Sequence, residues 1–237
     1  MKPDQNRQSA IVSLLRESTN LSSSKNVVST SLIKKRMTLT KAVRPGKNST
    51  VQPQEAFRID CFRDPTTNLR IPMISAAVSV EHLFDLFLEL LDPLGRMVHV
   101  VLESSHQDSN DNHDEIRRSR IDLPVLKSAF CDFEDLIMND GCTGIAVLNT
   151  RRLLEVQLDE HKQLYIFGRK LKPFHRVLKR FGIRKESELK LLSESEHYHY
   201  TNQLYTNQFS QMCRLIGAGE FDSIPTDGAT DSGELFF

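Results

Sequence analysis

Residues 145–167, IAVLNTRRLLEVQLDEHKQLYIF, hold three short apolar runs: Ile145–Leu148, Leu153–Leu158 and Leu164–Phe167. The polar links between them, Asn149–Arg152 and Asp159–Lys162, have hairpin length, so the runs read as consecutive antiparallel strands. Three hairpin-linked strands break the regular βαβ alternation of a doubly wound sheet and point to an α+β fold.

Working outward, Lys172–Phe181 follows as a helix opened by Pro173, with Leu171, Phe174, Val177, Leu178 and Phe181 at helical spacing. Upstream, Pro124–Met138 reads as a helix stopped by Asn139-Asp140-Gly141. The almost continuously apolar Arg96–Glu103 reads as a central strand. Val80–Leu91 is an amphipathic helix that Ser79 can cap and that Asp92-Pro93-Leu94-Gly95 ends. Phe57–Phe62 reads as the first strand, Ser104–Asp122 as a polar loop, and Glu188–Leu215 as a fourth helix with a polar centre. The resulting expectation is a mostly antiparallel sheet of about four to five strands, with helices packed on one face and disordered tails on both sides. A basic tail is assigned to 1–55, a single α+β domain to 56–217 and an acidic tail to 218–237.

The net charge of zero conceals four blocks of alternating sign. Residues 1–55 carry ten Lys/Arg and three Asp/Glu, 56–160 ten and nineteen, 161–185 nine and none, and 186–237 two and nine. Such blocks report on partners and solubility rather than on fold. The N-terminal block, with Lys34-Lys35-Arg36, Lys41, Arg44 and Lys47, reads first as a solvated tail and second as an arm for an anionic surface. Its Ser-rich, acid-poor composition also fits an organelle transit peptide if the source is eukaryotic. The third block is an amphipathic helix whose outer side presents Arg169, Lys172, Arg176, Lys179, Arg180, Arg184 and Lys185. This cationic ridge suits phosphate backbones or acidic partners, unless Asp132, Glu134, Asp135 and Asp140 neutralise it within the molecule. Without an aromatic RNA-binding signature, any nucleic-acid contact through it would be sequence-independent.

Several patterns touch on metal or catalytic chemistry. Asp108, Asn110, Asn112 and Asp114 have the odd spacing of early EF-hand ligands, but His113 replaces the required glycine and Ser119 the closing glutamate. His197 and His199, in His-Tyr-His-Tyr, would share a face in a strand but not in a helix, and no third ligand stands at a fixed spacing. No bound metal and no cofactor are therefore expected. Cys61, Cys131, Cys142 and Cys213 contain no C-x-x-C pair and suit reduced thiols. Cys142, in the turn Gly141-Cys142-Thr143-Gly144, has the setting of an exposed nucleophile if His99 or His175 lies near it. Arg117-Arg118-Ser119-Arg120 is a short basic-serine string of the kind kinases modify. No nucleotide-binding glycine loop, nucleophile elbow or zinc-protease motif is present.

No apolar run has the length of a membrane span, and the expected compartment is the cytoplasm. The function these observations favour is a non-enzymatic intracellular binding or regulatory protein with a protein partner. The alternative is a nucleic-acid-associated protein using the ridge at 169–185 and the N-terminal arm. A third reading is an enzyme of unrecognised class.

Overall fold

The computed structural model describes residues 37–63, 69–106 and 114–219. The readings made for 1–36, for Asp108–His113 and for 220–237 lie outside the described residues. The strands are β1 (Val43–Pro45), β2 (Ala56–Arg63), β3 (Arg70–Ala77), β4 (Met97–Ser104), β5 (Asp114–Asp122), β6 (Thr143–Asn149), β7 (Leu154–Leu158), β8 (Leu164–Gly168) and β9 (His197–His199). The helices are α1 (Val80–Leu91), α2 (Leu123–Asp132), α3 (Glu134–Asn139), α4 (Lys172–Arg180) and α5 (Gln203–Ile216).

The fold is α+β, around an antiparallel sheet of seven strands in the order β2-β3-β8-β7-β6-β4-β5. The meander β6-β7-β8 sits at its centre as the sequence predicts, with Ile145 opposite Leu158 and Val147 opposite Val156. Burial on both faces explains the mainly apolar runs of β6 and β8, while β7 also buries Glu155 and Gln157. A separate two-stranded ribbon joins β1 to β9.

All five α-helices of the described residues contribute to one large core against one face of the sheet. There Phe87 of α1 stacks on Phe130 of α2, with ring centroids 5.8 Å apart. The opposite face carries a smaller cluster built from Ile71, Val101, Ala146, Leu148 and Phe167. α1 has the predicted bounds, but the Ser79 hydroxyl makes no bond to its own helix. Instead it accepts from the backbone N–H of Thr38 at 3.1 Å, tying the N-terminal segment to the helix start.

Four expectations need correction. The sheet has seven strands rather than four to five, because β3 and β5 escaped the hydrophobic reading. β3 contains Pro72, which opposes Cys61 of β2, while pairing with β8 starts only at Met73. The missing N–H of Pro72 therefore falls just outside the β3–β8 ladder and costs no bond on that side. β5 (DEIRRSRID) lies inside the expected polar loop; it is an edge strand, rich in charged residues and bridged on its outer side by Arg117 to Gly219.

The helix expected over 188–215 begins only at Gln203, where the Asn202 side chain accepts from Tyr205 N at 3.1 Å. Ahead of it, His197–His199 is a strand. Residues 37–55, read as part of the tail, lie against the domain, with Ala42 and Val43 buried. Their few apolar groups are too sparse to show a period and find partners only in segments distant in the chain, such as β9.

Candidate metal centre

The β7–β8 turn places one half of the site. Asp159 opens it, its carbonyl accepting from Lys162 N at 3.0 Å and its Oδ1 from Gln163 N at 2.7 Å. This is the role Asp plays at the first position of a tight turn. Lys162 takes up the left-handed conformation (φ 60°) that lets the chain re-enter β8. His161 projects from the middle of this turn.

The ribbon places the other half. In β9, His199 opposes Val43 and His197 opposes Pro45, so the period of two sends both imidazoles to one side. The intervening Tyr198 is 47 % exposed. Gly141 holds the ribbon on the domain: its N–H donates to Tyr200 O at 2.8 Å, and Tyr200 N donates to Ala42 O at 2.8 Å. A Cβ at Gly141 would stand 2.5 Å from Ala42 O and 2.9 Å from Tyr200 N, so only glycine permits this approach.

The two halves bring three histidines together. The ring centroids of His161, His197 and His199 are 4.6, 4.7 and 5.0 Å apart, and one donor atom from each lies within 4.8 Å of the others. Each ring is held from behind through Nδ1. That of His161 is 2.7 Å from Asp159 Oδ2, that of His197 2.7 Å from Ser195 O, and that of His199 2.5 Å from Gly141 O.

Carbonyl and carboxylate oxygens only accept, so each Nδ1 carries a proton, and a neutral ring then has its lone pair on Nε2. The Nε2 atoms of His161 and His197 face each other at 3.0 Å. Two lone pairs at that distance repel unless a proton or cation sits between them. Around zinc, with Zn–N near 2.05 Å, tetrahedral donors stand about 3.3 Å apart. A carboxylate or carbonyl behind each ligating ring is the usual outer support of a histidine metal site. Burial, and then the nearby His161 and His197, push the His199 imidazole below its ordinary value against the pull of the Gly141 carbonyl and Glu160. It is thus neutral, as a ligand must be, at neutral pH.

Other ionisable groups crowd around. Lys162 is buried and donates to Thr143 O at 2.8 Å. Burial lowers its ammonium to about 8, although Asp140, Asp159 and Glu160 pull the other way. Burial alone would raise the Asp140 carboxyl, but hydrogen bonds from His106, Thr143 and Thr201 outweigh it and hold the group below the usual range. His106 Nε2 is 2.9 Å from Asp140 Oδ2, and its Nδ1 is 2.7 Å from Ser104 Oγ. The Cys142 thiol is pushed up by burial, aided by Asp140 and Glu160. Perturbed groups gathered in one place are characteristic of functional sites.

The histidines considered as partners of Cys142 are elsewhere. His175, on α4, packs edge-on to Phe57 with centroids 5.2 Å apart. His99 pairs with Leu148 at the far end of the β4–β6 ladder, five strand residues or roughly 17 Å from the Ser104–Thr143 end.

The ridge residues Arg169, Lys172, Arg176, Lys179, Arg180, Arg184 and Lys185 are all exposed. α4 packs on α1, and Arg180 pairs with Glu89 of that helix rather than with α2 or α3. Two of the four acidic groups expected to neutralise the ridge serve other partners, Asp135 holding Asn139 and Tyr205 and Asp140 holding His106 and Thr143. The backbone at the end of the ridge also closes the sheet edge, Phe57 N donating to Arg184 O at 2.9 Å.

The sequence drew attention to His197 and His199 but not to His161, which lies 36 residues upstream of His197. Only its position in a central hairpin turn marks it out. Comparison of the chain with family models, with curated proteins and with solved structures finds no match.

Proposed function

We propose that this chain is a metal-binding protein whose His161, His197 and His199 hold one divalent transition ion of the zinc class. The carrying observation is the meeting of three imidazoles, each fixed by an acceptor behind Nδ1, with one donor atom from each within 4.8 Å of the others. Imidazole suits Zn, Cu, Fe and Ni, whereas Ca and Mg take oxygen donors. This reading departs from the sequence expectation of no bound metal and puts a metal ion, rather than a protein partner, first among the ligands.

Calorimetric titration of tag-free protein, stripped with chelator, tests this. Zinc should bind one to one, His161→Ala should lose at least a hundredfold in affinity, and Asp159→Asn about 10–100-fold. Equal affinity in wild type and in a His161/His197/His199→Ala triple variant would refute the reading.

The exposure of the seven ridge cations supports a second reading, contact with a nucleic-acid backbone. Affinity for mixed-sequence DNA or RNA should then fall steeply with added salt. Reversing Lys172, Arg176, Lys179 and Arg180 to Glu should abolish binding while the circular dichroism spectrum is retained. Unchanged binding would remove the ridge from consideration.

A further inference from the structure

Building on the metal reading, we infer that the centre is an open one, in which the ion keeps an exchangeable fourth ligand, either water, hydroxide or a small monodentate anion, and acts as a Lewis acid. Zinc sites that only hold a fold together close with four protein donors, whereas sites with three keep one position for water or substrate. Among the described residues, three donor atoms gather at this point.

The acidic groups nearby are turned to other work. Asp159 Oδ2 lies behind His161 and its Oδ1 accepts from Gln163 N, so this carboxylate orients a ligand instead of being one. Asp140 holds His106 and Thr143 through Oδ2, and this carboxylate is not among the three residues whose donor atoms meet. The Cys142 thiol favours its protonated form, because burial and the anionic Asp140 and Glu160 oppose the thiolate a metal would need.

The character of the donors adds a second argument. Three imidazoles, their tautomer set by the Nδ1 acceptors, bind as neutral donors that transfer no formal negative charge to the ion, so its double charge acts in full on the remaining ligand. This is the donor set under which a zinc-bound water ionises near pH 7, the proton passing to solvent and hydroxide staying on the metal. Thiolate or carboxylate donors would quench that acidity. Solvent can reach the site: all three histidines are only partly buried, and Tyr198 and Tyr200 beside them are exposed. Glu160 acts electrostatically on His199, Lys162 and Cys142 alike, which puts an anion at the border of the site.

The test uses the tag-free full chain loaded with cobalt(II), whose visible bands report coordination number and ligand type. One equivalent should give the intense bands of four-coordinate cobalt. Azide should shift them saturably, and a pH titration should change them reversibly with a midpoint near 7. Bands that form but respond to neither azide nor pH would mean four protein donors, sinking the open site while leaving the metal reading intact. A sulfur-to-cobalt charge-transfer band that disappears in Cys142→Ser would also overturn it, by making Cys142 the fourth ligand. Failure of both cobalt and zinc to bind would overturn the metal reading, and this inference with it.

Discussion

At the scale of single residues, each of the three histidines does two jobs through its two ring nitrogens. Nδ1 donates to Asp159, Ser195 O or Gly141 O, which leaves Nε2 of the neutral ring to take a metal; those of His161 and His197 face each other at 3.0 Å. Protons and metal compete for the same ring nitrogens, so zinc affinity should fall as the solution is acidified. His199 adds a stability effect of definite sign. Its folded value is depressed by burial, so the unfolded chain takes up this proton first. Its share of native stability is fully present above about pH 6.5 and is lost as the pH falls through the lower folded value. Urea denaturation of the metal-free protein from pH 8 to 5 measures this; His199→Gln should flatten the acid limb, and an unflattened limb would assign the effect to other groups.

At the scale of elements, the site depends on the placement of a ribbon too short to stand alone. A two-stranded pair is marginal in water, and β1–β9 is held by the close approach at Gly141 and by the bonds from Gly46 N to Glu196 O and from Thr50 N to Ser195 Oγ. Gly141→Ala forces a Cβ into the Ala42 carbonyl, which is backbone and cannot rotate away. The expected cost is about 1–3 kcal/mol, as for other overpacked positions, together with weaker zinc binding, since the carbonyl that orients His199 moves with the ribbon. Denaturation and titration of the same sample check both effects. The elements also show what was legible beforehand. α1, α4 and β6-β7-β8 matched their sequence reading because a sustained apolar period of 3.6, or a short run bounded by polar links, marks them. β5 and β9 were missed because an edge strand and a surface ribbon bury too little to leave such a mark.

At the scale of the whole molecule, the core and the site occupy different places. The helices and one sheet face form the large cluster around Phe87, Phe130 and Phe174, while the histidines join the β7–β8 turn to the ribbon outside it. An ion bound there links segments that the core does not hold to each other, and it binds the native state but not the unfolded chain. At a hundred times its dissociation constant, zinc should therefore raise the unfolding free energy by about 2.7 kcal/mol. Guanidinium titrations with and without zinc measure this, and His161→Ala should show no such gain.

The sequence by itself determined the α+β class, the hairpin meander, the amphipathic helices and the exposed cationic ridge, because each follows from local periodicity and charge. It also singled out His197 and His199, whose spacing of two means a shared face in any strand. Only the tertiary structure decided the strand order, the pairing of β1 with β9 and the meeting of His161 with the other two histidines. Those contacts join segments far apart in the chain, and no local pattern encodes them; they are set by which surfaces the folded sheet and the glycine at 141 bring within reach.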